Sequence, residues 1–488
     1  MNRFKSIVSQ LKTIDSLRQI SSVLSWDQET YMPPDAINAR ADQLETMAGL
    51  IHDAWQSDVL KNDLLPFINS ESERPKEDLT TDEAAFIREL YAVWKRHNQL
   101  SKDLVKALTK ATATSQHVWA NARKNNNFKE FAPHLKELID LTNEKIKQLG
   151  FIDHPYNTLI DEFEPGMNVK KIDSIFESLK TGTIDFLSQY KPAHFTPIEG
   201  PFDLSNQRIY SDELVKLLGF RTQNGRLDIS THPFTIDIHP SDVRITTRIN
   251  PEHLMESVSS TIHEVGHGLY EQGLDPDWIG TPYGAARSMG IHESQSRLWE
   301  IFIGQSRPFW KGQLKRIHEL FPTTRHNTAE DFVNFCGHVK PHWCRVESDI
   351  VTYNLHIIIR YECEKAMFSN QLSVNDLPDF WNQKMHDYLG LSIESDTKGC
   401  LQDVHWSAGL FGYFPSYTLG TLIAAQLNQT LHHTFPDYER LIETGDFKQI
   451  NEWLNQHIHR VGSKKPTDDI LAELNISYDP QAFLNSLY

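Results

Sequence analysis

Two histidines four residues apart, His263 and His267, enclose Glu264 in the sequence HEVGH (263–267). On a helix, positions i and i+4 share one face, so both imidazoles can reach a single divalent ion. Glu264 follows the first of them and can lean toward water at that ion. Zinc held in this way acidifies water from 15.7 to about 7, and a nearby carboxylate can take the proton as the oxygen attacks a carbonyl. The chemistry is metal-assisted hydrolysis. Two ligands are too few, because catalytic zinc takes three from the protein and keeps one position open. Glu293, in GIHESQSRLWE (290–300), is the best third candidate, with His292 beside it as the competitor. Glu293 also stands four residues before Arg297, a spacing that suits an ordinary surface ion pair. Asp242 and Asp403 are candidates for the carboxylates that hold coordinating histidines from behind.

The surrounding elements must position these groups. In MESVSSTIHEVGHGLY (255–270), Val258, Ile262, Val265 and Leu269 recur at steps of four, three and four. That stripe buries one face of a helix and leaves the histidines on its flank. Gly266 weakens such a helix, and close approach by another segment would explain its presence. Just upstream, FTIDI (234–238) and VRITT (243–247) alternate polar and β-branched residues around a Pro-Ser-Asp turn, which predicts a hairpin. Its outer strand would offer an open edge to a peptide.

Helical periodicity dominates elsewhere. Phe4, Ile7, Leu11, Ile14 and Leu17 form one apolar stripe, and residues 82–97 and 100–112 repeat the pattern. The polar, proline-containing stretches 70–78 and 192–206 read as loops. The expected fold is mainly α, with a small β-sheet beside the HExxH helix. It is expected to form a single domain over 1–488, with a helical N-terminal part at roughly 1–110 and a catalytic core at roughly 230–420.

Composition excludes some partners. A formal net charge of -17 argues against nucleic acid, which is bound by clustered Lys and Arg. No apolar run approaches the ~18 residues of a membrane span. The opening MNRFKSIVSQ lacks the apolar stretch of a signal peptide, so a cytoplasmic location is the expectation. Cys336, Cys344, Cys363 and Cys400 are widely spaced and read as reduced, mostly buried thiols. His457 and His459, like His432 and His433, lack ligand spacing and read as surface histidines, whereas Trp299 and Trp310 read as core.

Taken in order, the motifs resemble those of the thermostable, Taq-type metallocarboxypeptidases. WDQETYMPP (26–34), DEFEPGM (161–167), HPF (232–234), DVRIT (242–246), HEVGH, HESQ (292–295), GCLQDVHW (399–406) and GYFPSYTLG (412–420) all fit that family's patterns. One segment departs. Where the family has Ile or Tyr, Arg, two residues, then Ala or Asp, this chain has CRVES, with Cys344 and Ser348 at the ends and Arg345 kept.

The resemblance implies a helical fold with a deep active-site groove and removal of single C-terminal residues from peptides with a free C-terminus. It also implies broad specificity with proline disfavoured, and a homodimer. The cofactor would be Zn²⁺, although a His₂Glu site also accepts Co²⁺ or Mn²⁺. In this scheme Glu264 is the general base, and His405 and Tyr417 donate to the oxyanion, with Tyr413 as the alternative to Tyr417. A carboxypeptidase must also recognise a carboxylate, for which the planar guanidinium is suited. Arg345 is the first candidate, with Arg244 and Arg360 behind it; Arg345 and Arg360 also stand at i,i+4 spacing from Asp349 and Glu364. An endopeptidase or dipeptidyl-carboxypeptidase with the same metal site is the close rival.

Overall fold

The computed structural model describes residues 3–487. The N-terminal stripe forms the helix Arg3–Thr30, which buries Ile7, Leu11 and Ile14 and continues past the periodic region to bury Trp26. A helix that the periodicity does not predict, Ile37–Trp55, packs against it. It buries only Trp55, so its sequence lacks the continuous stripe that would mark it. The helix Thr81–Gln99 starts at a capping box, with Thr80 and Glu83 satisfying each other's backbone, and buries Phe86, Ile87, Leu90 and Trp94. These N-terminal helices share one apolar cluster that ends on Tyr283. The loop expected at 192–206 is shorter, because Asp203 caps a helix that begins at Leu204.

The hairpin forms as β2 (Thr235–His239) and β3 (Asp242–Thr247), paired antiparallel. A third strand, β1 (Gly225–Ile229), lies parallel to β3 on its other side, giving the order β1-β3-β2. Sequence alternation misses β1 because it buries a charged residue. Asp228 is held there by Arg226 at 2.5 Å and by the Tyr31 hydroxyl at 2.6 Å. The N-terminal helix is fastened to the same sheet: Arg244 stacks on Trp26 at 4.5 Å, and Arg18 donates to the Asp237 carbonyl at 2.9 Å. The WDQETYMPP segment therefore acts as an anchor.

The HExxH helix spans Leu254–Gly273 and is buried along nearly its whole length, with Val258, Ile262, Val265 and Leu269 facing the core as their spacing predicts. All four cysteines are free and three are buried. Trp299 and Trp310 are core residues. No helix among the described residues is long and apolar enough to cross a membrane.

A second apolar cluster gathers the helix Tyr353–Phe368 and the GCLQDVHW segment. At its heart is Glu364, which accepts hydrogen bonds from Trp406 Nε1 at 2.7 Å, the Gly412 amide at 2.7 Å and the Tyr156 hydroxyl at 2.5 Å. Burial pushes its carboxyl up to about 7 despite these donors. The folded protein thus holds a proton that the unfolded chain releases near pH 4.5, so this group favours folding at low pH and loses that contribution as pH rises through 7. Relative to Glu364→Gln, wild-type stability should fall by roughly 2–3 kcal/mol between pH 5 and pH 8. Urea unfolding of both proteins without metal, at the two pH values, measures this. An unchanged difference would refute it.

Candidate active site

The metal-site motif is assembled by two helices whose backbones nearly touch. A Cβ on Gly266 would lie 2.6 Å from the Ser296 Cα and 2.7 Å from the Gln295 carbonyl oxygen, so only glycine lets the helix Met289–Arg297 approach. A third helix, Pro415–Thr434, closes from the other side, where a Cβ on Gly420 would lie 2.6 Å from Glu293 Cβ. Glu293 is thereby wedged toward the histidines. Its Oε2 lies 3.4 Å from His267 Nε2 and 3.9 Å from His263 Nε2. One ligand atom from each of the three residues falls within 4.8 Å of the others.

The atoms left over are all engaged. His263 Nδ1 meets Glu300 Oε2 at 2.8 Å. With His267 Nε2 kept for the ion, its Nδ1–H donates to His292 Nδ1 at 2.6 Å, and His292 Nε2–H donates to Glu271 at 2.7 Å. Arg297 donates to the other Glu293 oxygen at 2.7 Å, while Oε2, which faces the histidines, accepts only the Ser296 hydroxyl at 3.2 Å and keeps a lone pair for an ion. Both Nε2 atoms and one carboxylate oxygen are thus presented together by groups that fix their orientation, the donor set of a His₂Glu centre. These residues fit a divalent cation.

Some expectations need correction. Asp242 and Asp403 do not stand behind the histidines: Asp242 pairs with Arg244 at 2.9 Å, and Asp403 with Arg345 and Arg360. The actual partners are Glu300 and the His292–Glu271 pair, so His292 lies behind His267. Glu293 and Arg297 do pair at i,i+4, but in the interior and as part of the site. Glu300 sits on a π-helical stretch, Leu298–Ile303, that continues the Glu293 helix. Its spacing of seven from Glu293, two helical turns along one face, was the readable signal. His459 is buried and bonds Gln295 at 3.0 Å, unlike the surface histidine expected.

Charge in the site follows burial and neighbours. Burial works to lower the His263 pKa, yet Glu293 and Glu300 together raise it to about 9. Burial lowers His267 to about 3. Glu293 is buried, but Arg297 and His263 hold its carboxyl well below the usual range. Burial raises Glu264, opposed by His263 and by Thr235, whose hydroxyl donates to Glu264 Oε2 at 2.6 Å. Thr235 was not foreseen, although it directly follows HPF on a strand whose alternation was legible.

A groove of about 640 Å³ runs over this centre. Tyr413, Tyr417 and Met289 line it, as do Asp15, Arg18, Asp237 and His239. His405 lies behind Tyr417, with Nε2 at 3.1 Å from its hydroxyl. Burial pushes both phenols up and lowers His405 to about 3. Arg345 is 7% exposed, outside the groove lining. Its Nε donates to Asp403 and its Nη1 to the Tyr353 hydroxyl, at 2.9 and 2.8 Å, while the guanidinium lies over Tyr417 at 5.2 Å. Arg360 is wholly buried on Asp403 and Gln402. The helical pairings Arg345–Asp349 and Arg360–Glu364 do not form, because Asp403 draws both guanidiniums. Arg244 faces Trp26 and is not brought into the groove. Of the two ends of CRVES, Cys344 is buried, and Ser348 donates to the Cys344 carbonyl at 2.9 Å to close the turn.

An HExxH helix, a carboxylate from the following helix and a strand beside the base define a metal-dependent peptide hydrolase. The profile of the carboxypeptidase Taq (M32) metallopeptidase family matches residues 6–488, and the chain belongs to that family; it is a metallocarboxypeptidase. Carboxypeptidase 1 of Bacillus subtilis is 37% identical over 484 residues, covering 97% of this chain and 96% of that protein. The structure of Pyrococcus furiosus carboxypeptidase superposes with a TM-score of 0.95 at 30% identity, covering 100% of this chain and 98% of that one. Trypanosoma cruzi metallocarboxypeptidase 1 does so with 0.92 at 31%, over 99% and 98%.

Proposed function

We propose that this enzyme removes single residues from the free C-termini of peptides, with broad tolerance and with proline released poorly. Zinc is the proposed metal, held by His263, His267 and Glu293; the homodimeric state and cytoplasmic location belong to the same reading. The convergence of three ligand atoms beneath the groove, with Glu264 beside them, is the observation that supports it best. When bound, the ion would polarise the scissile carbonyl and acidify water.

The residues of the chain divide the remaining work. Glu264, oriented by Thr235, takes a proton from water and returns it to the departing amine. The Asp237 carbonyl points away from β3 to Arg18, so by strand alternation Thr235 turns its own amide and carbonyl outward. That edge supports a substrate added as a further strand. Tyr417 donates to the developing oxyanion, because its buried phenol keeps its proton, and neutral His405 holds its hydroxyl. Tyr413 lines the same wall and is assigned to substrate contact. Arg345, just behind Tyr417, is assigned to the substrate carboxylate, for which it would share its donors with Asp403. We assign Arg244 to holding the N-terminal helix instead of binding substrate.

Mass spectrometry of a mixed peptide pool incubated with the zinc-loaded enzyme tests this reading. Ladders shortened one residue at a time from the C-terminus are expected, stalling where proline must leave. Amidation of the C-terminus should abolish most turnover. Internal cleavage of amidated peptides would instead identify the endopeptidase.

A further inference from the structure

The DEFEPGM segment has no part in the mechanism above, yet it carries a buried carboxylate directed at the helices that build the site. Glu164 follows the helix Tyr156–Phe163 and is 1% exposed. Its Oε1 accepts from the Gly290 amide, in the first turn of the helix that bears Glu293, and from the Ser416 hydroxyl at 2.7 Å. Ser416 precedes Tyr417 at the start of the third helix. A Cβ on Gly290 would lie 3.0 Å from both Glu164 oxygens, so glycine is what admits the carboxylate. The rest of the segment braces it. Asp161 accepts from the Gly166 amide at 3.0 Å, Gly166 turns the chain at φ +87°, and Phe163 stands edge-on to Tyr413 at 5.0 Å.

We infer that Glu164 is a positioning residue for the metal centre, pinning the helices of Glu293 and Tyr417 to one point so that ligand and donor keep their mutual register. The physical case is geometric. Gly290 lies three residues before Glu293, almost one helical turn, and Ser416 is adjacent to Tyr417, so a shift at either anchor is carried to the functional side chain by a rigid helix. Burial also pushes the carboxyl up to about 7, which marks a polar group kept in the interior at a cost. The inference rests on the reading of His263, His267 and Glu293 as ligands. Glu293→Gln therefore runs in parallel as the control for that reading.

Zinc affinity of the full chain, measured by competition with a chromophoric chelator, is the test. Glu164→Ala should weaken zinc about 10–100-fold, as loss of groups behind a ligand does. It should also lower kcat more than it raises KM. Glu164→Gln should stay near wild type, because its carbonyl oxygen can accept both bonds. Should the alanine variant not fold, Ser416→Ala removes one anchor and should cost about 5-fold in zinc affinity, the worth of an ordinary hydrogen bond. A weak Glu293→Gln beside a Glu164→Ala, or failing that a Ser416→Ala, that binds zinc as wild type does would overturn the positioning role. So would a Glu164→Gln as impaired as the alanine variant.

Discussion

Glu264→Gln is expected to lower kcat by about 10²–10⁴-fold while the protein keeps its full complement of metal. The side chain does not belong to the His263–His267–Glu293 cluster, and its carboxylate receives the Thr235 hydroxyl at 2.6 Å. A carboxamide fits the same space and accepts the same bond through its oxygen, but it cannot take a proton at neutral pH. Burial raises the carboxyl of Glu264, so the neutral replacement removes a desolvation cost and should not destabilise the fold. Steady-state kinetics on a peptide substrate, with metal content by elemental analysis on the same sample, gives both numbers. Activity within tenfold of wild type would remove Glu264 from the base role. Lost metal would mean that it supports the ion instead.

The second large effect concerns binding. Glu293→Gln should weaken zinc at least 10–100-fold, by comparison with losses seen even for groups behind a ligand. Both histidines, the Ser296 hydroxyl and Arg297, whose side chain is 12% exposed, depend on this carboxylate. Removing the charge leaves Arg297 with one carboxylate, Glu300 at 3.4 Å, and the Tyr353 ring at 4.5 Å. In the metal-free protein, His263 should also titrate below its wild-type value of about 9, since the largest of the charges that oppose burial is then gone and Glu300 and Glu264 remain. The stability contributed by charged His263 is present below its ordinary pKa and disappears as pH rises through the folded value, so the variant loses it at lower pH. Chelator competition and an NMR titration of the imidazole report the two effects. Full zinc occupancy at wild-type affinity would reject Glu293 as a ligand.

Much of this site was readable because helical geometry is local. His263 and His267 are neighbours on any helix, and the stripe from Val258 to Leu269 fixes which side of it meets the core. The β2–β3 hairpin follows from alternation around a turn, and Gly266 signalled a close approach whose partner proved to be Gln295 and Ser296. The parts that were not legible join distant segments. Asp403, a candidate to back a coordinating histidine, turns instead to Arg345 and Arg360, since two buried guanidiniums need a carboxylate. Spacing could place Glu300 on the same helical face as Glu293, but it could not say which histidine each acid backs.

The amino-acid order by itself determined the ligand types, the helix that presents them and the strand beside it, because each depends on residues within a few turns of one another. Only the folded chain decided that Glu293 reaches the histidines while His292 stands behind, that Glu300 and Glu271 complete the partners, and that Arg345 lies beneath Tyr417. Those choices depend on how closely three helices approach. Glycines at 266 and 420 set that distance, and a glycine's effect is felt only through what packs against it.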